Sequence, residues 1–156
     1  MRDIKTILLT TDFSATSREA FEPALTLAGR FGARIIVAYV EDDRQSLIVP
    51  DHVAVNLDLE RIRAYQHETY ERNLAELVDE QLDGKVEVEC EVPVGTPHVE
   101  IVRLAEERDA DLIVMATHGG GFISHAIMGS TTERVLRRAP CPVLVIRHSG
   151  AGSSHS

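Results

Sequence analysis

Short apolar runs rich in β-branched residues alternate along this chain with longer segments whose apolar residues recur at helical spacing. That alternation constrains the fold more than any other feature. Strands separated by helices of ten or more residues return parallel to one another, with helices covering both faces of the sheet. The first run is Ile4 to Thr11. A helix is predicted from Ser14 to Phe31, with Ala20, Phe21, Ala24, Leu25, Ala28 and Phe31 on its stripe and Gly32 as its stop. Arg34 to Val40 reads as the second strand, and Glu41 to about Asp58 as an acidic, polar loop interrupted by Pro50. Leu59 to Leu82 reads as a long helix that Asp83-Gly84 ends.

The second half repeats the logic. Val86 to Val92 alternates apolar and acidic residues, which places this strand at a sheet edge with one polar face. Thr96 is the expected N-cap of the next helix and Pro97 its first residue, with Ile101, Val102 and Ala105 on the apolar stripe. Asp111 to Ala116 lacks polar alternation and should be buried on both faces. After a glycine-rich loop come a helix, Ser130 to Arg138, and a last strand, Pro142 to Arg147. Five strands and about four helices give a three-layer α/β/α domain with an open parallel sheet, Rossmann-like in architecture.

The totals agree with one domain. The 156 residues are enough to bury roughly 68–70% of the unfolded surface without a metal or disulfide. Apolar residues make up 44% and charged residues 26%, as in ordinary globular proteins. The net charge of −9 argues against a broad basic face for nucleic acid. It leaves room for a small anionic ligand, because backbone N–H groups bind anions whatever the net charge. Cys90 and Cys141 have no metal-ligand spacing, and two buried thiols are expected. The start lacks the long apolar stretch of a secretory signal, and no apolar run reaches the roughly 18 residues of a membrane span. A cytoplasmic protein is the expectation. Residues 149–156, small and polar, are expected to form a disordered tail beyond a domain at 1–148.

In open parallel sheets ligands bind beyond the carboxyl ends of the strands, where strand order reverses. After strand one come Thr10-Thr11-Asp12-Phe13-Ser14, and after strand four Ala116-Thr117-His118 followed by Gly119, Gly120 and Gly121. Those glycines permit close approach of backbone to ligand. Gly129-Ser130 opens a helix, where free N–H groups and the positive dipole end favour phosphate. No Lys follows in a G-K-[ST] arrangement and no GxGxxG is present, so neither a Walker A loop nor a dinucleotide fingerprint applies. Plainer readings stand beside this one. Ser130 and Glu133 have the spacing of a capping box, and Asp12 or Ser14 could simply cap the first helix. His118 and His125 flank the glycines without a nucleophile or orienting acid to make a catalytic pair. The acids from Asp79 to Glu91 read as a solvated face.

Taken together, ILLTTDFS, GTPHVEIVRLAEERDADLIVMATHG and GSTTERVLRRAPCPVLVIR resemble the universal stress protein family up to about His148. The resemblance implies an adenine nucleotide alpha hydrolase-like sheet of strand order 3-2-1-4-5. Nucleotide-binding members carry the pattern G-x2-G-x9-G-[ST], which falls here on Ala116, Gly119, Gly129 and Ser130, with alanine replacing the first glycine. By resemblance Gly119, Gly129 and Ser130 would hold phosphates, Asp12 the adenosine part and the Val40 backbone the adenine. Met115 and Thr131 would line the site. Thr10, Thr11, His118 and Thr132 complete the expected binding set. The ligand would be ATP, ADP or AMP, with or without magnesium. The family's usual dimer would form through the last strand, at Val143, Leu144, Val145 and Ile146; an apolar edge strand is a liability unless it pairs.

The implied function is a nucleotide-binding stress sensor or signalling module, with at most a slow ATPase activity. Two rivals remain: a dimeric interaction scaffold that holds no nucleotide and works through the loop after Glu41, and an enzyme of nucleotide chemistry on a related fold.

Overall fold

The computed structural model describes residues 3–45, 58–117 and 128–147. Along the chain the elements run β1 (Thr6–Thr10), α1 (Ala15–Arg18), α2 (Phe21–Phe31), β2 (Arg34–Ala38), β3 (Glu41–Asp42), a 3-10 turn (Asp43–Gln45), α3 (Leu59–Leu82), β4 (Val88–Glu91), β5 (Val94–Gly95), α4 (Pro97–Glu107), β6 (Leu112–Ala116), α5 (Ser130–Arg138) and β7 (Val143–Ile146). The main sheet has the order β4-β2-β1-β6-β7, with every neighbouring pair parallel. Counted over the strands predicted from the sequence, this is 3-2-1-4-5.

The period of two along each strand sorts side chains into two cores. Ile7 and Leu9 of β1, Ile35 and Val37 of β2, and Leu112 and Val114 of β6 face α2 and α3. Leu8, Ile36, Ala38, Ile113 and Met115 face the other way, against Ile101, Leu104 and Ala105 of α4 and Val135 of α5. Central strands β1 and β6 are therefore buried throughout. β4 lies at one edge, as its Val-Glu alternation predicts, and β7 at the other.

The structure departs from the sequence reading in several places. The single helix expected from Ser14 to Phe31 is two. Pro23 has no N–H to offer the preceding turn, so the helix restarts at Phe21, placing Pro23 in a first turn that needs no such bond. The stretch after Glu41 is not all loop: Glu41–Asp42 pairs with Val94–Gly95 in a small parallel sheet, too short to leave a periodic trace. Cys90 is exposed and Cys141 half-buried, not buried as expected, because β4 is outermost and has no strand beyond it. Glu89 and Glu91 are not merely solvated; both pair with Arg108, and Glu89 also with Arg34. Residues 149–156 lie outside the described residues.

Candidate functional site

At the carboxyl ends of β1, β2 and β6 a cavity of about 490 Å³ opens on the side of the sheet covered by α4 and α5. Thr10, Thr11, Asp12, Val40, Met115, Ala116, Thr131 and Thr132, all expected from the sequence, line it. Gly129 and Ser130 stand beside it at the start of α5 without lining it. His118, Gly119 and His125 lie outside the described residues.

The turn after β1 is built by its own hydroxyls. Asp12 Oδ1 accepts from the Ser14 N–H at 2.9 Å and from the Ser14 hydroxyl. Ser14, not Asp12, caps α1, its Oγ accepting from the Ser17 N–H at 3.1 Å. Thr11 and Ser17 hydroxyls meet at 2.9 Å, and the Ser17 hydroxyl also donates to the Ser14 carbonyl. Asp12 thus spends one carboxylate oxygen on the turn and keeps the other at the cavity edge. Phe13 takes a φ of 67°, a left-handed conformation unusual for an aromatic residue. Its ring packs 4.5 Å from Tyr39 and 6.4 Å from Tyr70, which offsets that strain. Burial, then the hydrogen bond that the Tyr39 hydroxyl donates to Tyr70, drives the Tyr39 phenol well above its ordinary range.

The opposite wall is held at its base by two hydrogen bonds. The Gly129 N–H donates to the Thr117 carbonyl at 2.7 Å, and the Thr132 hydroxyl donates to the Ala116 carbonyl at 2.9 Å. Gly129 is the N-cap of α5 and makes no side-chain cap bond, so Ser130 is the first helical residue and the capping box with Glu133 does not form. The amides of Ser130, Thr131 and Thr132 are left without acceptors among the described residues. Ala116 ends β6 with negative φ, so its methyl costs no backbone strain.

Two features tie the cavity to ligand chemistry. Of the five buried polar residues among those described, Thr10, Thr11, Ser17 and Thr132 line this one cavity, which concentrates polarity at a single place in the core. The Thr10 hydroxyl, in a residue only 8% exposed, has no partner among the described residues. Neither the N–H nor the carbonyl of Val40 has a hydrogen-bond partner among them. A second cavity, of about 590 Å³, lies behind Tyr39, Asp42 and Gln45, which also line the first. Its wall carries His67, whose Nδ1 lies 2.7 Å from Glu41 and whose Nε2 lies 3.0 Å from Glu71.

Sequence reading missed Ser17, Ala38, Tyr39, Asp42, Arg44, Gln45, Pro97 and Ile101 as cavity residues. Pro97 and Ile101 looked like helix-start and core positions. Asp42 and Arg44 sat in a segment read as loop, and their nearness to Val40 was the one available signal. No helix among the described residues is long and apolar enough to cross a membrane, and none of their His, Cys, Asp and Glu side chains form a metal-holding group of three.

Comparison with known proteins agrees with this architecture. The model of the universal stress protein family matches residues 3–147. Universal stress protein MJ0531 of Methanocaldococcus jannaschii is 34% identical over 143 residues, covering 92% of this chain and 82% of that protein. The solved structure of MJ0577, from the same organism, superposes with a TM-score of 0.81 at 27% identity, covering 96% of this chain and all of that one. A universal stress protein crystallised in complex with cAMP superposes with a TM-score of 0.66 at 26% identity, covering 95% of this chain and 100% of that one. The chain belongs to the universal stress protein family.

Proposed function

We propose that the chain binds an adenine nucleotide in the cavity between β1, β2 and β6, and acts as a stress-response sensor or signalling module. The observation that carries this reading is the buried Thr10 hydroxyl, without a partner among the described residues, in a cavity that gathers four of the five buried polar residues among them. A buried polar group without a partner costs about 1–3 kcal/mol, which a ligand atom or an ordered water recovers. The volume suits a nucleoside. The free peptide edge of Val40 offers one donor and one acceptor, the pair that the amino and ring-nitrogen edge of adenine requires. The unspent oxygen of Asp12 accepts from ribose hydroxyls. The open amides of Ser130 and Thr131, with Gly119 from the loop, hold phosphate at the positive end of α5. Magnesium accompanying the nucleotide would be held chiefly by phosphate oxygens and water, with Asp12 a cavity carboxylate able to join them.

The family relative solved with cAMP supports an adenylate in particular. Mass analysis of nucleotide released from the purified chain, followed by calorimetric titration with ATP, AMP and cAMP, tests the reading. Absence of any heat at millimolar ligand would end it and leave the interaction scaffold. Self-association through β7 fits its place at the sheet edge and its half-buried Val143–Ile146. Val145→Lys should then shift the sedimentation profile to monomer. The protein would work in the cytoplasm, and any ATP turnover would be slow.

A further inference from the structure

The segment from residue 117 to 132 contains no Lys or Arg. A phosphorylated ligand entering a chain of 25 acids and 16 bases meets repulsion unless a local field opposes it. Arg44 is the one cationic side chain lining the cavity among the described residues. It does not reach the cavity on a free loop. Asp42 pairs in register with Gly95 in the small sheet, and its side chain is 13% exposed. Its carboxylate accepts from Arg44 Nε at 3.0 Å, from Nη2 at 2.8 Å and from the Arg44 amide at 3.0 Å. The fork uses one edge of the guanidinium. Nη1 and the second N–H of Nη2 have no partner among the described residues.

Other basic groups share this rim. His98 stands in the first turn of α4, next to Pro97 of the cavity wall, and the charges of Arg134, Arg138 and Arg44 bear on it. Together with burial, the larger cause, they hold its imidazolium below the ordinary range. The α4 N-terminus has no side-chain cap bond from Thr96. Thr10 lies on the same face of the sheet as Leu8, under α4, and its hydroxyl is the unpartnered one.

We propose that Arg44 is the residue by which this cavity selects phosphorylated ligands. Its free guanidinium edge bonds a phosphoryl oxygen, and Arg134, whose charge bears on His98 at the same rim, adds positive potential there. The inference rests on the nucleotide reading of the cavity. It assigns the ligand class as a nucleoside mono- or polyphosphate, with the bare nucleoside disfavoured for want of the charged hydrogen bonds. Asp42 orients the fork and balances its charge, so Arg44 offers a phosphoryl oxygen its remaining directed N–H donors rather than net positive potential, with no unpaired Asp42 carboxylate beside the phosphate.

Calorimetric titration of the whole chain and of Arg44→Ala with adenosine, AMP and ATP is the test. Arg44→Ala should weaken AMP and ATP by roughly 10- to 100-fold, as expected for loss of a charged hydrogen bond, and adenosine by less than about 2-fold. Arg44→Lys should recover part of the loss as a point charge without the fork. Arg134→Ala should show a smaller loss that high salt removes. Circular dichroism of each variant verifies that it is folded; Arg44 is exposed enough, at 61% of its side chain, for truncation to leave the core intact. Equal losses for adenosine and AMP would make Arg44 a wall for the base and overturn the assignment, as would unchanged AMP affinity. A wild-type chain that binds none of the three at millimolar concentration would remove the nucleotide reading and this inference with it.

Discussion

The two walls of the cavity are built by different means. On the β6 side the groups that open to the proposed ligand are backbone amides at the start of α5, without acceptors among the described residues because Gly129 caps nothing with a side chain. On the β2 side they are the peptide edge of Val40 and the side chain of Arg44, placed by Asp42 and the β3–β5 pairing. The first wall needs only a local sequence, a glycine and small hydroxylic residues entering a helix. The second needs a strand pair between residues 53 apart in the chain, Glu41 with Val94 and Asp42 with Gly95. A wall made of local structure can be read as a motif; a wall made of long-range pairing cannot.

That contrast can be broken most sharply at Gly129. Its φ of −61° and ψ of 152° suit any residue, and aspartate is among the best N-caps. Gly129→Asp should therefore keep or raise thermal stability while filling the open amides with its own carboxylate. Nucleotide affinity by calorimetry should fall by roughly 10- to 100-fold, the worth of a charged hydrogen bond. Unchanged affinity would move phosphate away from the β6 wall. Thr132→Val tests the hinge of that same wall. It removes the donor to the buried Ala116 carbonyl, and denaturant unfolding should show a loss of about 1–3 kcal/mol.

Ala116→Gly should do less. Because Ala116 sits in a strand with negative φ, restoring the family's glycine relieves no strain. A stability loss of about 0.5–1 kcal/mol and no tenfold gain in affinity are expected. A large gain would mean that the methyl itself blocks the ligand. The smallest effect should be at His67, which pins Glu41 at the root of the arginine wall. Its hydrogen bond to Glu41 raises its pKa on folding, with Glu71 adding to the shift. A raised pKa stabilises the fold fully below the unfolded value near 6.5, and that contribution fades as pH rises through the higher folded value. The stability difference between wild type and His67→Gln should accordingly shrink from pH 5.5 to pH 8. A gap that widens with pH would contradict the pairing.

How much was legible follows from the same division. Leu59–Leu82 and Ser130–Arg138 match the sequence reading at both ends, because their caps and periodicity are local. The edge position of β4 was readable from its alternation. The capping box at Ser130 was misread by one residue: a serine and a glutamate at the right spacing do not say which of two adjacent residues leaves the helix first. Cys90 was misread although its strand's edge position was legible: its apolar place in the alternation was taken to mean burial, and on the outermost strand it is left exposed.

Sequence alone determined the parallel three-layer architecture, since strand and helix periods are properties of neighbouring residues and the right-handed crossover leaves few ways to connect them. It also placed Asp12 at the end of a strand and Gly129-Ser130 at the start of a helix, where a ligand can lie. Only the tertiary structure decided that Ala116 carries no strain, that Thr10 is buried without a partner among the described residues, and that Arg44 reaches the cavity. Each of those depends on what stands opposite a residue in space, and nothing in a residue's own neighbourhood encodes its partner across the sheet.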